Sequence, residues 1–303
     1  MASREQHLNP PASGGDSTMA GMTCLITGAT SGIGEQTAHG LARLGATVLI
    51  VARDAGRGAA VAADIQAAAP HATVDLFLAD LQVQAQVRTL AADVAGRHPR
   101  LDVLINNAAA VNAGHRLTGD GIEATLAVNH LAPFLLTQLL LKPLTAAPAA
   151  RVITVSSYMH HRVKKIPWDD LGGERGYRGQ DAYNLTKLMN ILFTYELARR
   201  TDGTRITANA LHPGWPLKTN LGREQHGAGA MFDKISKWFG SSAANGARTS
   251  LHLASSPAVA GTSGGYYAKC KPATSSKLSH DPDTARRLWQ RSTQLCSINT
   301  PAS

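Results

Sequence analysis

From residue 21 onward, short apolar runs alternate with longer amphipathic ones. Strand-like runs fall at Thr23–Thr27, Thr47–Val51, Thr73–Leu78, Val103–Ile105, Arg151–Val155 and Thr207–Leu211. Helix-like runs include Gly34–Leu44, Gln82–Arg97, Thr118–Leu144, Ala182–Arg200 and, last, Asp283–Leu295. Strands this short and this apolar are buried on both faces, and helical crossovers between them predict a parallel sheet. The expected fold is α/β: a single Rossmann-type, doubly wound parallel sheet with helices on both faces, spanning residues 21–303. Residues 1–20 mix Pro, Ser, Gly and Gln without periodicity and are expected to form a disordered leader. Residues 213–240 break the alternation. They follow the sixth strand, where such a fold carries its substrate lid.

The first strand runs directly into Thr27-Gly28-Ala29-Thr30-Ser31-Gly32-Ile33-Gly34. Strand, glycine-rich turn and helix N-terminus together make a phosphate cradle. Glycines let the backbone turn tightly and approach a pyrophosphate, and the free N–H groups at the helix end favour an anion. The second strand ends Leu49-Ile50-Val51-Ala52-Arg53. An acid at that tip would bind both ribose hydroxyls of NAD. Arg53 instead can pair with a 2′-phosphate, with Arg57 in support, which points to NADP(H) ahead of NAD(H). Asp54 follows immediately, so the reading depends on where the strand ends. Asp80 and Leu81, at the end of the third strand, are placed beside the adenine.

Composition narrows the class without naming it. Apolar content of 44% is ample for one core. No apolar run approaches a membrane span, so no integral anchor is expected. Three cysteines without a Cys-x-x-Cys pair argue against a disulfide framework and fit a reducing cytoplasm. The net charge of +9 is dispersed rather than striped with aromatics, so nucleic acid is not the expected partner. His160 and His161 are adjacent and point apart, and no His-x-x-x-His pair joins a carboxylate cluster; no metal site is expected. The sequence leaves a homodimer open.

Tyr183 and Lys187 stand four apart on a helical run, which puts them on one face. A free tyrosine titrates near ~10 and is a poor base at neutral pH. A neighbouring ammonium favours the phenolate. Around this pair lie Asn106-Asn107-Ala108 ending the fourth strand, Asn129 inside a helix, Ser156-Ser157 ending the fifth strand, and His212-Pro213-Gly214 ending the sixth. Paired asparagines at a strand end can contact an adenosine ribose, and a serine hydroxyl there faces the carboxyl edge of the sheet.

In this order and spacing the residues resemble the short-chain dehydrogenase/reductase family over residues 21–295. The finer resemblance is to its retinol-dehydrogenase-like branch. It is carried by Val155-Ser156-Ser157 with His160-His161, by Asn190-Ile191-Leu192-Phe193-Thr194-Tyr195-Glu196-Leu197-Ala198-Arg199-Arg200, by Ala285-Arg286-Arg287-Leu288-Trp289, and by the long stretch between Ser157 and Tyr183. The resemblance implies hydride transfer between a nicotinamide and a carbon bearing oxygen. Tyr183 is then the general acid/base, Lys187 binds the nicotinamide ribose and tunes Tyr183, and Ser157 hydrogen-bonds the substrate oxygen, with Ser156 as the alternative. Asn129 holds a water that links Lys187 to solvent. Gly28, Thr30, Ser31, Gly32, Ile33, Gly34, Arg53, Asp80, Leu81, Asn107 and Pro213 line the cofactor. Two positions depart from the family pattern. Ala109 replaces a glycine after Asn106-Asn107-Ala108, and Trp215-Pro216-Leu217-Lys218 put four residues before Thr219 where three are usual.

Trp215, Phe232, Trp238 and Phe239 concentrate in the lid of a chain that is only 5% aromatic. That enrichment favours an apolar or aromatic small-molecule substrate, with Trp215 beside it. Two other functions use the same frame: a non-catalytic NADP sensor, and a C=C reductase of the protochlorophyllide-reductase type. A sensor has no need of the Ser157, Tyr183, Lys187 and Asn129 relay, which favours the enzyme.

Overall fold

Among the residues described by the computed structural model, 19–214 and 243–298, eight strands form one sheet in the order β3-β2-β1-β4-β5-β6-β7-β8. β1 (Thr23–Thr27), β2 (Thr47–Ala52), β3 (Val74–Leu78), β4 (Val103–Asn106), β5 (Ala150–Val155), β6 (Ile206–His212) and β7 (Tyr266–Ala268) run parallel. β8 (Lys271–Pro272) turns back antiparallel on β7. The chain order reverses between β1 and β4. In an open parallel sheet that reversal leaves a crevice at the carboxyl ends of the strands, which is where ligands bind.

Alternate strand residues feed two cores. Leu25, Leu49, Leu104, Val152 and Ala208 face α3 (Gln84–Arg97), α5 (Ala132–Leu139), α7 (Gly179–Arg200) and α9 (Pro282–Leu295). Cys24, Ile26, Val48, Ile50, Val103, Ile105 and Ile153 face α1 (Gly32–Arg43), α2 (Ala55–Ala68) and α8 (Ala243–Ser255). The doubly wound α/β architecture expected from the periodicity is the one formed. Met19, inside the range expected to be a leader, is 1% exposed, and its N–H bonds the Leu44 carbonyl at 2.7 Å.

Two stretches differ from the periodicity. The apolar run 118–144 is several pieces instead of one helix: α4 (Ala124–Leu126), a π turn (Ala127–Leu131), α5, and α6 (Leu141–Thr145). Glu123 starts the run late. Its two carboxylate oxygens accept from the N–H groups of Thr125 and Leu126, each at 2.8 Å, which caps the helix there. Pro133 then removes the N–H that would bond the Asn129 carbonyl in a regular α-helix, and the π turn lies at that point. The second difference is the far edge of the sheet, where β7 and β8 extend it beyond the six expected strands. Lys269 and Cys270 make their turn with φ of +50° and +61°.

Candidate active site

The cradle after β1 is built as the glycine pattern requires. Gly28 has φ +67°, and a Cβ there would stand 2.8 Å from the Ala108 Cα. A Cβ on Gly34 would stand 2.1 Å from the Gly28 carbonyl oxygen and 2.5 Å from the Asn107 amide nitrogen. Gly32 has φ +59° with open space where a Cβ would project. Ser31 is the N-cap of α1 in an extended conformation, and its side chain caps nothing. The N–H groups of the first turn therefore lack a side-chain acceptor and face an open turn, which suits a pyrophosphate. Thr30 flanks the same turn, and Ile33 is buried behind it.

Thr27, at the head of the cradle stretch, ties it to β4 in a way the sequence reading did not foresee. Its hydroxyl oxygen accepts from the N–H groups of Asn107 and Ala108, both at 3.1 Å. Asn107 returns the tie, its amide donating to the carbonyls of Thr27 at 2.9 Å and Gly28 at 3.2 Å. The Asn107 amide N–H groups are thus spent on the shape of the cradle. Ala109 replaces the family's glycine without strain: among the described non-glycine residues only Lys269, Cys270 and Ser297 have positive φ.

At the β2 tip, Arg53 is the first residue after the strand and is exposed. Asp54 is the N-cap of α2, and its carboxylate accepts from the Arg57 N–H at 2.7 Å. The competing acid is therefore committed to the helix. Asp80 follows β3, its carboxylate accepting from the Gln82 N–H at 3.0 Å, and Leu81 packs on the core. Pro213 directly follows β6, and Gly214 takes φ +111°.

The candidate catalytic residues meet where β5 and α7 approach. Ser157 follows β5, and its hydroxyl lies close enough to Tyr183 to act on that residue's titration. Ser156 is turned away, its hydroxyl donating to the Lys187 carbonyl at 2.7 Å inside the core. The two serines thus differ in what their hydroxyls reach, Ser156 being engaged inside the core. Lys187, 2% exposed, donates to the Val155 carbonyl at 2.9 Å, and its Nζ is 5.5 Å from the Tyr183 ring centre. Burial lowers the Lys187 pKa to about 7. Burial raises that of Tyr183, and the nearby Ser157 hydroxyl works against the rise. In the protein itself both groups are pushed towards their neutral forms, because desolvation disfavours either charge.

Asn129, wholly buried in the π turn, holds Ala110 from both sides. Its Oδ1 accepts from the Ala110 N–H at 2.7 Å and its amide donates to the Ala110 carbonyl at 2.9 Å. It also donates to Thr186 Oγ1 at 3.1 Å, the residue before Lys187. One side chain thereby fixes the segment leaving β4 against α7. A further clamp on that segment has no counterpart in the sequence reading. The Tyr177 hydroxyl donates to Glu123 Oε1 at 2.9 Å and lies 3.2 Å from the Asn112 carbonyl. Trp215 and Thr219 lie outside the described residues, as does most of the expected lid.

The short chain dehydrogenase family description matches residues 22–227. Retinol dehydrogenase 14 of Homo sapiens is 42% identical over 302 residues, covering 94% of this chain and 89% of the relative. Retinol dehydrogenase 12 of Homo sapiens is 39% identical over 92% of this chain and 87% of its own. Among solved structures, a putative uncharacterized protein from Mycobacterium paratuberculosis has a TM-score of 0.76 at 34% identity, covering 94% of this chain and 97% of its own. The Pseudomonas aeruginosa RhlG/NADP active-site complex has a TM-score of 0.66 at 26% identity, covering 82% and 95%. The chain belongs to the short-chain dehydrogenase/reductase family. Within it the protein is retinol-dehydrogenase-like, an oxidoreductase that acts on CH–OH donors and interconverts alcohols and carbonyls with a nicotinamide cofactor.

Proposed function

We propose that the protein is an NADP(H)-dependent dehydrogenase/reductase that uses Tyr183 as acid/base on an apolar or aromatic substrate. One observation carries the reading: Ser157, Tyr183 and Lys187 lie together where β5 meets α7, on a sheet whose first strand ends in a cradle with no room for a side chain at Gly28 or Gly34. When bound, the nicotinamide supplies or accepts the hydride. The chain supplies position and the proton.

Ser157 binds the substrate oxygen and aligns it with the Tyr183 hydroxyl. Tyr183 gives its proton to that oxygen in reduction and takes it back in oxidation. A raised pKa keeps the hydroxyl protonated, which suits it to donate. Lys187 holds the nicotinamide ribose hydroxyls and, when charged, draws the Tyr183 pKa down. Asn129 keeps the Ala110 segment and α7 in register and holds a water through which Lys187 exchanges protons with solvent. Pro133 supports that role, because it leaves the Asn129 carbonyl without its α-helical donor.

NADP(H) is favoured over NAD(H) by Arg53, exposed at the β2 tip with its neighbouring acid engaged in a helix cap. Among the described residues Arg53 has no ion-pair partner, so its guanidinium is available to a 2′-phosphate. Cofactors in related structures agree: RhlG and a Burkholderia cenocepacia short chain dehydrogenase are NADP complexes. On the substrate side, Tyr158 is 52% exposed beside Ser157, with its ring 4.9 Å from that of His161 and 5.9 Å from that of His212. This shelf favours an apolar or aromatic body on the substrate, as does the sequence's enrichment of aromatics, Trp215 among them, after residue 214.

The test is NADPH oxidation against a panel of aliphatic aldehydes, aromatic ketones and quinones, repeated with NADH. Turnover of apolar carbonyls with NADPH is expected. Binding of NADPH without turnover of any carbonyl would sink the enzymatic reading in favour of a sensor.

A further inference from the structure

His160 lies in the short 3-10 turn Tyr158–Arg162 that follows Ser157, and it is fully buried. Its two ring nitrogens are both engaged. Nδ1 stands 2.6 Å from the Ser157 carbonyl oxygen, and Nε2 stands 2.9 Å from the Ser276 backbone N–H that donates to it. The tautomer follows from these partners. Nε2 must be bare to accept, so the proton sits on Nδ1 and is donated to the Ser157 carbonyl. A second proton on the ring would set Nε2–H against the Ser276 N–H.

Ser276 is itself anchored. Its carbonyl accepts from Ser279 Oγ at 2.6 Å, and the Ser279 hydroxyl lies 2.7 Å from that of Ser275. The Ser275 hydroxyl reaches Tyr195 on α7 at 2.8 Å. A continuous polar chain thus runs from the middle of α7, through residues 275–279, to the backbone of Ser157. The Ser157 carbonyl also accepts from the His160 backbone N–H at 3.2 Å, which closes the turn.

We propose that His160 is a positioning residue for Ser157: its Nδ1–H holds the serine's peptide in the orientation that aims the hydroxyl at Tyr183. The proposal rests on the reading of Ser157 and Tyr183 as catalytic. Among the described residues the serine's hydroxyl has one hydrogen bond to hold it, from the Met159 N–H at 3.2 Å. The imidazole bond, at 2.6 Å, is the shorter of the two that the Ser157 carbonyl accepts. Near-attack geometry is sensitive to small displacements of such a group, so loss of this bond affects turnover more than binding.

The surroundings keep the ring neutral. His161 on the same turn, His212 at the end of β6 and Tyr266 on β7 face it, with Lys164 bearing on His161 and Lys269 on His212. None is an acid that would stabilise a charged ring, and burial lowers the His160 pKa to about 4.

Two near-isosteric variants separate the ring's two bonds. In His160→Asn the amide N–H can replace Nδ1–H towards the Ser157 carbonyl, while the acceptor for Ser276 is lost. In His160→Gln the amide oxygen can replace Nε2 towards Ser276, while the donor to Ser157 is lost. Kinetics use NADPH and the carbonyl of the panel above that the wild type turns over fastest. His160→Gln should lower kcat about tenfold or more with KM little changed, and His160→Asn should keep kcat within about threefold of wild type. Both variants should melt within a few degrees of each other. Equal kcat in the two variants would overturn the proposal and leave His160 as a structural tie. Ser157→Ala is run beside them: if it retains full activity, the catalytic reading of Ser157 fails and the proposal with it. If it is inactive while the two histidine variants match, only the proposal fails. Nitrogen-15 shifts of labelled histidine give a readout independent of turnover. His160 should show the Nδ1–H tautomer from pH 8 to about 5, and an Nε2–H tautomer would contradict the assignment.

Discussion

Lys187 Nζ stands 5.5 Å from the centre of the Tyr183 ring and gives its hydrogen bond to the Val155 carbonyl at 2.9 Å. The pair four apart on α7 therefore share a face without touching through their polar atoms. Each group feels burial more than it feels the other. The lysine falls to about 7 and the tyrosine rises, which is the cost of burying two titratable groups together.

That cost predicts a pH-dependent stability. Lys187 is lowered from 10.5 to about 7 on folding. Between these values the unfolded chain binds a proton that the folded chain does not, so stability rises with pH across that window. Below pH ~7 the penalty is fully present. Lys187→Met should therefore be more stable than wild type at pH 6–7, by at most a few kcal/mol, while losing turnover. Its advantage should shrink steadily towards pH 10. Thermal melts of the cofactor-free proteins across that range check this; an advantage independent of pH would contradict the lowered lysine.

Gly34→Ala tests the cradle. The added methyl would stand 2.1 Å from the Gly28 carbonyl and 2.5 Å from the Asn107 amide, so the turn must open. Both contacts are with the β1–β4 tie, not with a flexible side-chain end. NADPH affinity, read by nucleotide fluorescence, should fall at least about tenfold while the sheet remains folded by circular dichroism. Unchanged affinity would show that the cofactor does not use this turn.

Arg53→Asp tests the cofactor. It removes the phosphate partner and adds a repulsive carboxylate at the β2 tip. NADPH binding should weaken about tenfold or more, and NADH binding should improve. If wild type already binds NADH more tightly than NADPH, Arg53 has been misread.

The cradle, the Tyr183–Lys187 pair and the parallel core strands were legible because each has a local cause. Glycines mark a backbone approach, a spacing of four marks a helix face, and apolar runs mark buried strands. What was missed depends on partners distant in sequence. β7 has three residues and is defined by pairing with β6, which no local periodicity announces. The run 118–144 looked like one helix because most of its apolar residues are buried, whereas Glu123 and Pro133 set where regular turns begin and break. α2 went unnamed because an alanine-rich helix with Gly58, Val61 and Ile65 buried shows little amphipathic contrast. The choice between Ser156 and Ser157 was open for a similar reason. Both follow β5 directly, and only the tertiary structure turns the Ser156 hydroxyl into the core towards the Lys187 carbonyl while Ser157 caps the next turn.

The central claim is that Tyr183 moves the proton on the substrate oxygen, and Tyr183→Phe tests it most directly. The change removes one hydroxyl, leaves the ring beneath Lys187, and takes nothing from the glycine cradle. NADPH affinity and carbonyl turnover are measured on the same preparation. The account predicts affinity within about threefold of wild type and turnover lowered about a hundredfold or more, the usual contribution of a positioned acid. A variant that keeps more than about a tenth of wild-type turnover with NADPH would contradict it.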